Sequence, residues 1–404
     1  MGCTEPIAGD NTMHRRSNLT HLAAAATALL CTAHAVPVMA QADTLKIGVI
    51  VPMTGPSAST GRQIDAAIKL WMAQSGGKVA GKKVEVLLKD DAGVADTTRR
   101  LAQELVVNDK VVALAGFGLT PLALATAPIA TQSKTPMVVM AAATSSITEA
   151  SPFIIRTSFT LPQAAVSIAE WAAKNKIRKV ATLVTDYGPG NDAEKFFVSQ
   201  FQLNGGTVVD KLRTPLRGAD FAPVLQKVRD LAPDALFVFL PSGQGAQFMK
   251  QFAERGLDKV GIKLIGTGDV TDDDQLNDMG DVALGVVTSH HYSASHNSPA
   301  NKKFVEAFEA ANKFRPNFMA IGGYDGMRVI FKALETTKGA GGEPLLAAMK
   351  GQLFESPRGQ VLIDGQTREI VQDIYIRKVE RSQGQLYNVE FDVQKAVKDP
   401  GKLK

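Results

Sequence analysis

From Leu45 onward, short apolar runs alternate with segments whose apolar residues recur at helical spacing. LKIGVIV, KVEVLLK, VVALAG and PMVVM have the length and branched-residue content of buried strands. Between them, RQIDAAIKLWMAQ, VADTTRRLAQELVV and LTPLALATAPIATQ carry the helical period. Such alternation predicts βαβ units and a parallel sheet covered on both faces. A second series follows, in which KVATLVT, GTVVDKLR, DALFVFL and IKLIG alternate with NDAEKFFVSQFQ, DFAPVLQKVRDL and GAQFMKQFAERG. The two series open alike. KIGVIVPMTGP and KVATLVTDYGP each run from a lysine through an apolar strand to Gly-Pro at the same offset, Gly55-Pro56 and Gly188-Pro189. The pattern predicts an α/β protein of two lobes, each with its own parallel sheet.

The tail adds helices over ANKKFVEAFEAANK and FMAIGGYDGMRVIFKALETT, then a late strand pair in QVLI and EIVQDIYIRKVE, too little for a third lobe. Crossings between lobes are expected near Phe159, His290 and Pro357. No low-complexity linker separates the lobes, which favours a hinge of several strands over a tether. The expected division is 43–160 with 291–357 in an N-terminal lobe, and 161–290 with 358–404 in a C-terminal lobe.

The first 42 residues differ in kind. HRRSNLTH, LAAAATALLCTAHAV and VMAQA form the charged, apolar and small-residue regions of a cleavable export signal, with cleavage after Ala40 or Ala42. The apolar run, interrupted by His34 and Pro37, is short for a membrane span of roughly 20 residues. Residues 1–12 read as an over-called start, with Met13 the initiator. Cys3 and Cys31 both precede the cleavage site, and Cys31 follows Leu30 where a lipoprotein signal needs a small residue. A mature chain of about 360 residues is long enough to be stable by packing without disulfides. Its composition, 45% hydrophobic and 21% charged with a formal net charge of +5, is that of an ordinary globular protein. Scattered lysines and arginines argue against a nucleic-acid surface.

Catalytic motifs are missing. There is no G-x-S-x-G, H-E-x-x-H or P-loop, and no cysteine nucleophile in the mature chain. His290, His291 and His296 lack the partners of a metal site and read as a polar crossing segment. Asp272, Asp273 and Asp274 lack the alternation of a calcium loop and read as a helix N-terminus. Asp90-Asp91 read as a turn and cap. No metal or cofactor is expected.

What remains lies at the C-terminal ends of strands, where open α/β sheets bind ligands. In the first lobe GPSAST brings Ser59 and Thr60, and GFGLTP brings Thr120, read as an N-cap before Pro121. AAATSSIT brings Ala142, Ala143 and Thr144. Hydroxyls and free N–H groups without competing charge suit a small anion such as a carboxylate. In the second lobe TDYGPGND offers Tyr187, FLPSGQG offers Ser242, and GTGDVTDDD offers Gly268 and Asp269, the one acid directly on a strand end.

TLKIGVIVPMTGP, KDDAG, AGFGLTPLALATAPIA, PMVVMAAATSSIT, VTDYGPG and FMAIGGYDGMRVI, taken in order, resemble the periplasmic leucine/isoleucine/valine-binding proteins of ABC importers. The resemblance spans about residues 44–395. It implies a type I periplasmic-binding fold, two doubly wound parallel-sheet lobes joined by a three-crossing hinge and closing on a ligand. It implies that Thr120 and the Ala142–Thr144 backbone meet a ligand carboxylate and that Tyr187 is the second-lobe aromatic. Gly268 stands where amino-acid-binding members carry an acid for the amino group, with Asp269 one step on. Thr60 and Pro241-Ser242 replace aromatics. The expectation is therefore a monomeric, non-enzymatic periplasmic receptor that hands a small carboxylate to a membrane permease and ATPase. The ligand is either a branched-chain or hydrophobic amino acid, or an aromatic or other apolar organic acid. A ligand sensor on the same fold is the alternative, and a hidden hydrolase or amidase is the rival that the missing nucleophile disfavours. The exported protein should begin at Gln41 or Asp43 and carry no lipid; intact mass of the periplasmic form checks this, and a diacylated Cys31 would overturn it.

Overall fold

A computed structural model describes residues 44–403. The export signal, the alternative start, both cysteines and the cleavage sites lie outside the described residues. The first sheet contains β1 (Leu45–Val51), β2 (Lys78–Val79), β3 (Lys82–Asp90), β4 (Ala113–Gly116), β5 (Met137–Val139) and β6 (Ile154–Arg156). Its order is β2-β3-β1-β4-β5-β6, and every pairing except β2 with β3 is parallel. The second contains β7 (Lys179–Thr185), β8 (Thr207–Thr214), β9 (Ala235–Phe239), β10 (Lys263–Thr267), β11 (Val287–His290), β12 (Leu353–Ser356), β13 (Gly359–Ile363), β14 (Ile370–Ser382) and β15 (Gln385–Val397). Its order is β12-β13-β14-β11-β10-β9-β7-β8, with β15 paired to β14. From β8 to β11 the pairing is parallel; beyond β11 it is antiparallel. Strands β3-β1-β4-β5 and β8-β7-β9-β10 thus repeat one winding, which is what the two like openings in the sequence encode.

The chain leaves the first sheet after β6 and enters a helix over Leu161–Lys174 that packs on β10 and β11. This helix carries apolar residues all along one side, and the Gln163 side chain accepts the Thr160 N–H at 3.0 Å, the reciprocal half of a capping box. After β11 the chain returns to form helices Pro299–Asn312 and Phe318–Thr336, both packed on helix Ala58–Gln74. The hairpin β12–β13 and strand β14 then hydrogen-bond into the second sheet. Strands β6 and β11 escape periodicity for different reasons. β6 is three residues long. β11 reads VTSH, polar yet fully buried, because Ser289 donates to Ala164 O at 2.6 Å and Thr288 takes a bond from Arg377 at 3.1 Å.

Polar groups fill the crossings. Arg156, Arg358 and Arg377 are among the largest fully buried side chains. Arg156 pairs with Glu369 at 2.5 Å and Arg358 with Asp325 at 2.6 Å, each also donating to several main-chain carbonyls. A buried charge is tolerated only when paired and hydrogen-bonded, so these contacts are a condition for the crossings existing at all. The adjacent His290 and His291 are also buried. His291 stacks on Phe159 with ring centroids 4.8 Å apart, and neither of its ring nitrogens has a hydrogen-bond partner. Burial pushes the imidazole of His291 well below its usual range, and that of His290 down to about 4 although Asp269 opposes the shift.

These depressed values set a sign. As pH falls below about 6.5 the unfolded chain takes up protons at both histidines while the folded chain excludes them, so acidification costs stability. His291→Leu removes one such site. Its melting temperature should fall less than that of the parent between about pH 7.5 and about pH 5, a window set by the unfolded and depressed folded values. Thermal unfolding followed by circular dichroism measures both drops, and equal drops would refute the assignment.

Candidate functional site

In each sheet the winding reverses between two neighbouring strands, β1 and β4 in the first, β7 and β9 in the second. The loops leaving those strands diverge and open a crevice, the usual ligand position in doubly wound sheets. The two crevices face each other across one narrow cavity, which the closely apposed loops leave with a free volume of about 20 Å³. The first lobe lines it with Ser57, Thr60, Gly118, Leu119, Thr120, Ala141, Ala142, Ala143 and Met319. The second supplies Tyr187, Pro189, Phe239, Pro241, Ser242 and Asp269, and the crossing supplies Phe159 and Leu161.

The polar end of the first lobe is built from loop chemistry. Thr120 is the first residue of helix Thr120–Ser133, whose N-cap is Leu119; the expectation of Thr120 as N-cap is corrected by one position. Its hydroxyl, relieved of capping, lies 2.8 Å from that of Thr144. If Thr144 donates in that pair, the Thr120 proton is free for an anion. Behind this loop Arg156 collects the carbonyls of Ala142 and Thr144, which turns the oxygens of the segment toward the hinge. The N–H groups of Gly118, Thr120 and Ala143 have no acceptor among the described residues. Helices Ala58–Gln74, Thr120–Ser133, Gly188–Leu203 and Gly245–Glu254 all begin beside the cavity and add the favourable ends of their dipoles. No lysine or arginine lines the cavity, so a carboxylate here would rest on hydroxyls, amides and dipoles.

The remaining walls are apolar, with one exception. Tyr187 stacks on Phe239 with centroids 6.1 Å apart, and burial, aided by the Asp269 charge, pushes its phenol upward so that it stays neutral. Asp269 is the one ionisable acid on the lining. It follows β10, is 4% exposed, and accepts the Thr267 hydroxyl at 2.9 Å.

Seven of the expected site residues therefore meet at the cavity: Thr60, Thr120, Ala142, Ala143, Tyr187, Ser242 and Asp269. Three do not line it. Ser59 spends its hydroxyl on Asp274 of the opposite lobe. Thr144 stands behind Thr120. Gly268 faces away: a Cβ there would lie 2.0 Å from the Arg377 guanidinium and 2.3 Å from the His290 ring. A buried cation, Arg377, packs against this glycine. Gly118, Leu119 and Pro241 were missed although they adjoin expected residues. Phe159 and Leu161 belong to the crossing, and Met319 arrives from a helix remote in sequence, so no local signal marks it as lining.

The Asp272–Asp274 run directly precedes a short helix, Leu276–Met279, and is also a junction between lobes. Asp272 is buried, accepts Ser242 Oγ, and takes Asn317 Nδ2 of the first lobe at 2.8 Å; burial raises its pKa well above the usual carboxylate range. Asp274 takes both Ser59 and Arg62, the latter at 2.6 Å. His296, expected in a polar crossing, bonds Glu390 at 2.7 Å. The loop at Asp90 matches its reading as a turn: the carboxylate accepts the N–H groups of Met53 and Ala92, both at 2.8 Å, and so holds the loop leaving β1.

The fold recurs in known proteins. A solute-binding protein of an ABC transporter from Rhodopseudomonas palustris BisB5, solved in complex with 3,4-dihydroxybenzoic acid, is 62% identical. It superposes with a TM-score of 0.88 over 89% of this chain and 99% of that one. Its counterpart from Rhodopseudomonas palustris HaA2, in complex with p-hydroxybenzoic acid, is 42% identical with a TM-score of 0.86, covering 89% and 99%. The Leu/Ile/Val-binding protein homolog 6 of Brucella abortus is 44% identical over 369 residues, 90% of this chain and 94% of its own length. The family model described as periplasmic binding protein matches residues 44–385, and two like-wound lobes around one cavity are what that match describes: the chain belongs to the periplasmic binding protein family.

Proposed function

We propose that this protein is the substrate-binding component of an ABC importer and that its ligand is a benzoate-type carboxylate rather than an amino acid. The observation that carries the reading is the asymmetry of the cavity. One pole has hydroxyls and unpaired amides suited to a carboxylate, the middle is walled by Phe159, Tyr187, Phe239, Leu119 and Met319, and no acid stands at Gly268. Such apolar and aromatic walls suit a flat apolar ring. The solved relatives at 62% and 42% identity, which carry hydroxylated benzoates, support the same class. Export to the periplasm, a monomeric state and delivery to a permease with its ATPase complete the reading, and the protein would perform no covalent chemistry.

The mechanism is a population shift. The ligand touches both lobes only when they are apposed, so its differential contacts favour the closed form. Direct contacts between lobes, Asp274 with Ser59 and Arg62, and Asp272 with Asn317, already lower the cost of closing. The Gly188 Cα completes the fit, since a Cβ there would lie 2.6 Å from the Thr144 hydroxyl.

Two variants test this. Thr120→Ala removes a charge-assisted hydrogen bond of about 1.5 to 3 kcal/mol, so affinity for a benzoate should fall on the order of tenfold to a hundredfold with the fold intact. Titration calorimetry reads the change, and an unaltered affinity would make Thr120 structural. Gly188→Ala obstructs apposition without touching either lobe's core. Its melting temperature without ligand should stay near the parent value while the ligand-induced rise shrinks. A full ligand-induced rise in thermal shift would show that the close approach is unnecessary.

A further inference from the structure

Two hydrogen-bonding groups of opposite kind stand side by side at the second-lobe end of the site, Asp269 on the cavity wall and His290 buried directly behind it. Asp269 uses Oδ2 to accept the Thr267 hydroxyl, while Oδ1 has no donor among the described residues. Its neighbour is His290, 0% exposed, whose Nε2 lies 3.6 Å from Asp269 Oδ2, beyond hydrogen-bond distance. The tautomer of His290 follows from its other nitrogen. Nδ1 accepts the main-chain N–H of His291 at 3.0 Å, so in the neutral ring the proton is on Nε2. The ring is clamped between Phe159 and Phe318, centroids 4.6 and 4.3 Å away, and cannot turn to find another acceptor. A buried acceptor and a buried donor are thus both left without full partners, and Phe159 and Asp269 belong to the cavity wall.

We propose that Asp269 and His290 read a hydroxyl group on the aromatic ring, at the position opposite the carboxylate, and so select hydroxylated benzoates. The inference rests on the reading of the cavity as a benzoate-type site and names what its far pole recognises. A phenol hydroxyl is at once donor and acceptor. It donates to the free Asp269 oxygen and accepts from His290 Nε2–H. An ammonium offers donors only, has no lone pair for His290, and would bring a second cation near the buried Arg377, which sits against the same glycine turn. An unsubstituted ring offers neither and leaves the Asp269 acceptor and the His290 donor unpaired in the complex. His291 enters as a positioning residue through its main-chain N–H, and Thr267 does the same for the Asp269 carboxylate.

The test is titration calorimetry of the parent protein and the variants Asp269→Asn, His290→Phe and His290→Gln with 4-hydroxybenzoate, benzoate and leucine. The parent should prefer 4-hydroxybenzoate over benzoate by on the order of a hundredfold, as expected where a site built for a hydroxyl meets an analogue lacking it. Asp269→Asn and His290→Phe should each cut that ratio to less than about tenfold, one partner of two being lost. His290→Gln keeps an N–H where Nε2 was and should retain most of the preference that His290→Phe loses, a contrast a merely structural histidine would not produce. Equal affinity of the parent for benzoate and 4-hydroxybenzoate overturns the hydroxyl reading and leaves the carboxylate site standing. A ratio unchanged in both Asp269→Asn and His290→Phe overturns the assignment of residues. Binding of leucine with neither aromatic acid overturns the benzoate reading itself. Should His290→Phe fail to fold, the parent ratio and the near-isosteric Asp269→Asn decide the matter.

Discussion

A guanidinium removed from water must find partners for all its donors, and the requirement at Arg156 organises much of this molecule. Its side chain is fully buried between the end of β6 and Glu369, the residue just before β14. The ion pair joins the first crossing to the third, and the remaining donors take the carbonyls of Ala142, Thr144 and Phe159. Those three oxygens belong to the loop after β5 and to the crossing, both of which line the cavity. One buried charge therefore ties the hinge to the orientation of the site's main chain. Arg358 repeats the arrangement with Asp325, Thr157 O and Ser158 O. Replacing either pair by apolar residues would relieve a desolvation cost but would release the carbonyls, and with them the loop.

The lobes meet through groups that are short, polar and local. Asn317 caps its own helix with its side-chain oxygen, accepting from Met319 and Ala320, while its amide donates to Asp272 across the cleft. A residue that ends one lobe's helix thereby also senses the other lobe. Asp272 accepts Ser242 as well, a cavity residue, so the junction and the binding surface share an atom group. Closing and binding are coupled through contact rather than through distance, consistent with the hinge motions by which such paired lobes trap a ligand.

On the proposed reading, the aromatic and acidic poles of the second lobe would suit a fold shared with Leu/Ile/Val-binding relatives to a benzoate-type ligand. Tyr187 and Phe239 stack as one wall, and Arg377 and His290 are pressed against Gly268. The carboxylate remains at the next residue, Asp269, whose neighbour is a neutral histidine rather than open water.

The sequence by itself determined the two windings. Strand and helix patterns repeat from Leu45 and from Lys179 because parallel strands buried on both faces must be apolar throughout, and a pattern of that kind is legible locally. It also marked the loops that carry Thr60, Thr120, Ala142, Tyr187, Ser242 and Asp269, because ligand loops follow strand ends whatever the ligand. It did not reveal β6 or β11, whose burial depends on Arg368 O, Arg377 and Ala164 rather than on their own residues. Nor did it place Met319 and Phe159 on the cavity wall, or separate Thr120, which faces the cavity, from Thr144 and Ser59, which face other residues. Only the tertiary structure decided those, since a side chain's direction at a loop is set by what packs across from it. The same holds for Asp272–Asp274, read locally as a helix start. The carboxylates of Asp272 and Asp274 are spent on Ser59, Arg62 and Asn317 of the other lobe, and that of Asp273 on Asn388, all far along the chain.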